Sequence, residues 1–204
     1  KGETNKAIMY GKSILAKDSA NIDWLRTLSG LYYEKKNYAK SALAARLAIP
    51  ASGAPQDHIL LANVLAARAN HAAAAGQYAK ATFYLKRALQ MKRNPEWQLS
   101  LAELYAQTGN QAKAGKALAA LSPVSTQDWR RAGEVYWQIG KKEAALVALS
   151  KGADSAKARM QLAQRYLDMQ HPDNALHELE TVLHMEPDTP LQIQAQRQIG
   201  YIHA

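Results

Sequence analysis

The chain has 204 residues and a net charge of +9, and hydrophobic residues make up 48% of it, much of that share alanine and leucine. Such a composition supplies a helical core, while a single Phe and scarce Val, Ile and Thr runs exclude an extensive sheet. The absence of cysteine excludes disulfides, thiolate zinc sites and a cysteine nucleophile.

In chain order, six segments share a pattern: residues 2–15, 36–49, 76–89, 109–121, 140–152 and 170–183. Each places a small residue ahead of apolar ones, at Ala7, Ser41, Ala81, Ala114, Ala144 and Ala175, separated by 34, 40, 33, 30 and 31 residues. A period near 34 is an internal repeat, and repeats dictate architecture. Each segment reads as a helix: Ala81, Tyr84, Leu85 and Ala88 fall at i, i+3, i+4 and i+7, one helical face. Gly76, Gly109 and Gly140 stand just before three of these helices, where left-handed backbone ends the preceding one.

The preceding stretches carry a second pattern. Trp129-x2-Ala132-Gly133-x2-Tyr136 is its fullest copy, and Leu25-x2-Leu28-Ser29-x2-Tyr32 a weaker one. Gln98-x2-Leu101-Ala102-x2-Tyr105 and Arg159-x2-Leu162-Ala163-x2-Tyr166 follow in phase. The second repeat shows no clear copy, and Ile59–Ala75 predicts one overlong helix of 17 residues.

These motifs resemble the tetratricopeptide repeat family, whose first helix reads W-x2-L-G-x2-Y. Pro187 falls at that family's helix-ending proline. The resemblance implies an all-α fold, an α-solenoid of stacked antiparallel helix pairs in a right-handed superhelix. It implies one segment over 1–204 of about five degenerate repeats, beginning in a second helix and ending in a first helix. The lack of polar capping helices at both ends suggests a slice of a longer array. The family's groove-lining positions carry over to Arg26, Tyr33, Gln107, Arg130, Trp137 and Lys157 as ligand-binding residues, with Leu99, Glu103 and Met160 among their companions. Arg26 with Tyr33, and Arg130 with Trp137, each pair a cation and an aromatic seven residues apart. Such residues are enriched at binding hot spots. Gly30 and Glu103 stand where the chaperone-adaptor subclass wants its carboxylate clamp, so that subclass is not expected.

Catalytic motifs fail on inspection. His177-Glu178 starts a zinc-helix pattern, but the second ligand position is Thr181. Gly11-Lys12-Ser13 lacks the earlier glycine of a phosphate loop and lies within a helical pattern. The expectation is therefore a non-enzyme without cofactor or metal. Lys86, Arg87, Lys92 and Arg93 cluster near Tyr84, but helix C-termini favour cations anyway, and no nucleic-acid partner is expected. Residues 160–204 are acidic, which would also suit end-to-end docking. No apolar run approaches the roughly 18 residues that span a bilayer, so this segment is not expected to insert.

The functional expectation is an interaction scaffold for protein partners. Degenerate Ala-, Gln- and Leu-rich repeats without cysteine resemble the periplasmic repeat portions of bacterial outer-membrane proteins that export exopolysaccharide or serve as phage receptors. Secretion-complex components, or the polysaccharide, would then be the partners. A cytoplasmic adaptor, and a direct binder of an anionic polymer along the basic face, remain alternatives.

Overall fold

The computed structural model describes residues 2–185 and 188–203. Among them are twelve helices: α1 (Gly2–Leu15), α2 (Ile22–Glu34), α3 (Tyr38–Ser52), α4 (Pro55–Ala74), α5 (Tyr78–Met91), α6 (Pro95–Gln107), α7 (Gln111–Ala119), α8 (Thr126–Gln138), α9 (Lys142–Gly152), α10 (Ala156–Asp168), α11 (Pro172–His184) and α12 (Thr189–His203). No described residue lies in a strand. The all-α expectation holds, and for the reason given by composition: helix formers throughout.

Local signals start and stop each helix. The Asn21 side chain accepts from the Trp24 amide at the start of α2, and Ser155 caps α10 in the same way. Ser125 and Asp128 form a reciprocal capping box on α8. Such caps satisfy amides that have no helical partner. Between the helices of each pair the chain turns through one left-handed residue, at Lys36, Gly76, Gly109, Gly140 and Gln170. The next amide then reaches back five residues, from Asn37 to Tyr32, Asn110 to Tyr105, Lys141 to Tyr136 and His171 to Tyr166. This is the Schellman closure, and it reverses the chain so that the next helix packs on the last. Three of the five positions are the glycines expected there.

Two compact units divide the chain, residues 1–104 and 105–204. In the first, α1 packs on α2, α2 on α3, α3 on α4, and α4 on α5. In the second, α7 through α12 pack in the same consecutive fashion. Small side chains make the contact. Ser41, Ala81, Ala114 and Ala175 are fully buried. Ser29 and Ser41 face each other and exchange hydroxyl-to-carbonyl hydrogen bonds. A Cβ on Gly133 would sit 2.6 Å from Leu149 Cγ, and one on Gly152 2.8 Å from the Arg130 backbone nitrogen. The larger core side chains sit one turn along: Leu85 after Ala81, Leu118 after Ala114, Leu179 after Ala175. Burying each leucine contributes roughly 1.5–3 kcal/mol.

Some positions differ from expectation. In α9 the buried anchor is Ala145, not the half-buried Ala144. In α1 it is Ile8 and Gly11 that face inward, with Gly11 against the Trp24 ring, while Ala7 is half-buried. Leu99 and Met160 belong to the core rather than to a groove. The overlong helix is real and longer still: α4 has 20 residues, opening on Pro55 and meeting no breaker before Gly76. The proline assigned to position 187 lies outside the described residues.

Candidate functional site: two grooves of opposite charge

The first helices of unit 1 enclose a groove of about 610 Å³. Leu60, Asn63, Ala67 and Asn70 enter it from α4, spaced at i, i+3, i+7 and i+10 along one helical face. Tyr33 and Glu34 enter from α2, and Glu96 and Trp97 from α6. Tyr33 is held edge-to-face against Tyr38, and Lys92 lies over the Trp97 ring. Both asparagines are exposed. Gly30, Ala66 and Ala67 keep this wall low. The lining includes two carboxylates and no lysine or arginine.

A different face of α4 turns Leu61, Leu65 and Arg68 toward α3 and α5. These three helices form a second groove, of about 330 Å³, which no carboxylate lines and in which three arginines converge. One helix thus separates a neutral-to-acidic groove from a basic one.

Arg26 sits beside the first groove rather than in it. Its guanidinium reaches from α2 to Asp57 on α4, with Nε to Oδ1 at 2.8 Å and a second bond at 2.9 Å. Asp57 is 1% exposed and also accepts from the Ser52 hydroxyl. The Arg26 hydrogen bond holds the Asp57 carboxyl below the usual carboxylate range against the opposing effect of burial. Charge-assisted bidentate pairing of this kind fixes α2 against α4.

Unit 2 repeats the device. Arg130 donates to Asp154 at 2.9 Å, and the Thr126 hydroxyl donates to the same carboxylate. The Thr126 bond is the main cause of a lowered Asp154 pKa. Next to it, Arg165 bonds Glu134 at 3.2 Å and lies 4.4 Å from the centre of the Trp137 ring. Lys142 approaches the same ring at 5.5 Å. Trp137 also packs on the core cluster of Leu146, Leu149 and Leu162. Arg130, Glu134 and Arg165 line a small cavity of about 120 Å³. Arg159 and the buried Glu178 form another ion pair, at 2.6 Å.

Residues 72–135 match the tetratricopeptide repeat family. Solved structures extend the likeness across the chain. The C-terminal part of a tetratricopeptide repeat-containing protein from Cytophaga hutchinsonii aligns with a TM-score of 0.63, at 15% identity, over 98% of this chain and 83% of that one. The fold is a tetratricopeptide repeat fold. YrrB, described as a tetratricopeptide repeat protein with an unusual peptide-binding site, aligns at 0.59, with 15% identity, over 92% of this chain and 97% of its own. MamA aligns at 0.52, with 24% identity, over 66% of this chain and 82% of its own. No curated protein matches.

In the frame of these tetratricopeptide repeats, the six expected ligand-binding residues divide. Tyr33 lines the larger groove. Arg26 and Arg130 occupy equivalent positions, each paired with an aspartate of the next repeat. Trp137 lies under Arg165. Gln107 and Lys157 are exposed and lie outside the cavities described here. Asn63, Asn70 and Trp97 escaped sequence reading because the repeat signature is weakest in α4. The pair Asn63 and Asn70, seven residues apart and opposite the buried Leu61, Leu65 and Ala69, was the available signal.

Proposed function

We propose that this chain is a protein-interaction scaffold whose first-helix groove in unit 1 binds an extended peptide segment. The observation that carries the proposal is the pair Asn63 and Asn70. A carboxamide offers both a donor and an acceptor, which is what a peptide main chain presents in return. Seven residues of helix span about 10.5 Å, the length of about three residues of extended chain. The two asparagines can therefore grip one peptide at two main-chain amides, while Tyr33 and Trp97 supply apolar contact for its side chains. Glu34 and Glu96 favour a neutral or basic segment over an acidic one. The peptide-binding site described for YrrB is in keeping with this use of the fold. Arg130, Trp137, Gln107 and Lys157 are proposed as subsidiary contact positions in unit 2.

The test is a peptide array of neutral, basic and acidic sequences, with positive peptides titrated by fluorescence anisotropy. Binding should favour neutral or basic members, and Asn63→Ala with Asn70→Ala should weaken it by about tenfold or more at unchanged melting temperature, as loss of two hydrogen bonds of about 1 kcal/mol each implies. Unchanged affinity in the double variant would rule out this groove.

For the setting, we infer a periplasmic repeat segment that gathers components of an exopolysaccharide-export assembly. This rests on the cysteine-free, Ala-, Gln- and Leu-rich texture of the repeats. Fractionation of cells expressing the natural protein tests it: recovery in the cytoplasm would replace it with the adaptor reading.

A further inference from the structure

We propose that the basic groove between α3 and α5 is a second docking site, and that its occupant is an acidic amphipathic helix of a partner protein. The groove has an apolar floor, Ala42, Leu61 and Leu65, beneath apolar walls. Leu43 is 48% and Phe83 54% exposed, an uncommon state for large apolar side chains that line a recess. Along both walls an apolar side chain and a cation alternate at helical spacing. Leu43 and Arg46 fall at i and i+3 on α3, and Phe83 and Arg87 at i and i+4 on α5. Arg68 completes the set from the floor, its guanidinium 4.2 Å from the Tyr84 ring centre. None of the three arginines forms an ion pair among the described residues, and no carboxylate lines the groove.

The charge around this groove is concentrated. Residues 35–95 hold ten lysines and arginines against one carboxylate, Asp57, so this stretch alone carries the +9 of the whole chain. Asp57 is buried and already paired with Arg26, so it does not offset the field of the arginines. Complementary charge on a partner is thus required, and so is apolar surface. A simple polyanion would satisfy the arginines and leave Leu43, Phe83 and Met91 in water. A helix alternating apolar and carboxylate side chains by turns matches the walls, and a helix fits between two others at interaxial distances of about 8–10 Å. Arginine pairs bidentately with the carboxylates such a helix carries.

The test uses the intact chain and a fluorescein-labelled peptide of about four helical turns, with Leu or Phe at i, i+3, i+4 and i+7 and Glu elsewhere. Binding should be saturable and should weaken by about tenfold or more in the Arg46→Glu, Arg87→Glu double variant, with a milder Arg→Gln pair following the same order. Phe83→Ala should also weaken it, while Asn63→Ala with Asn70→Ala should not, which separates this site from the peptide groove. Four results overturn the proposal. They are no binding by the phased peptide at low salt, equal binding by a scrambled peptide of the same composition, binding of heparin oligosaccharides or phosphatidylserine vesicles that outcompetes the peptide, and a dimer that the double arginine variant dissolves.

Discussion

At the scale of single residues, Asp57 joins stability to pH. Its carboxyl is held low in the folded chain by Arg26 and Ser52. A lowered folded pKa contributes stability above the unfolded carboxylate value and loses it as pH falls through the folded one. Asp57→Asn should therefore lower the melting temperature by several degrees at pH 7, and its deficit should begin to shrink below about pH 4, where the carboxyl of the unfolded chain protonates, and close only as the pH falls through the lowered folded value. Thermal melts by circular dichroism across pH 3–8 check this. Gln170 is a second case. It occupies the left-handed turn position with φ 60°, where Gly140 stands in the neighbouring repeat. Relieving the Cβ strain should make Gln170→Gly more stable by about 0.5–1 kcal/mol despite the looser unfolded chain, measurable by urea titration.

At the scale of elements, close helix approach decides. Gly152 ends α9 against the backbone of Arg130 at the start of α8, and backbone cannot yield as a side chain can. Gly152→Ala should cost about 1–3 kcal/mol. Trp137 belongs to the same packing. Because it rests on Leu146, Leu149 and Leu162 beneath Arg165, Trp137→Ala should cost about 3 kcal/mol, so stability must be measured before any binding loss is credited to contact. Trp137, expected from the repeat pattern as a ligand-binding position, is thus also a packing residue. The reason is general to the repeat: a groove position and an inter-repeat contact fall one turn apart on one helix. The helices themselves were legible because small residues recur in phase and glycines mark three of the turns between them. The slip from Ala145 to Ala144 arose where adjacent alanines made the phase ambiguous. Glu178 and Asp57 were not legible as buried, since a carboxylate's partner, Arg159 or Arg26, lies 19 or 31 residues away and leaves no local pattern.

At the scale of the molecule, most contacts are made between consecutive helices within each unit, with ion pairs reaching to the helix after next. In such arrays a perturbation is felt by neighbours and fades beyond them. Hydrogen exchange read by mass spectrometry should show Gly152→Ala deprotecting amides within residues 105–204 while those of 1–104 keep their wild-type rates. The fold class was legible at this scale and the functional surfaces were not. Charge count revealed a basic body, but only the folded chain shows that one long helix divides an acid-lined recess from an arginine-lined one.

That α4 carries the only carboxylate between positions 35 and 95, and internalises it, has a kinetic consequence. The nearest exposed carboxylates, Glu34 and Glu96, line the groove on the other face of α4, so on this face little dilutes the attraction that the surrounding lysines and arginines exert on approaching anions. Encounter with an acidic partner should be accelerated at low ionic strength and slow steeply once the Debye length shrinks to about 10 Å near 0.1 M salt, while the escape rate changes little. Stopped-flow mixing at several salt concentrations would see this as a falling association rate with a nearly constant dissociation rate.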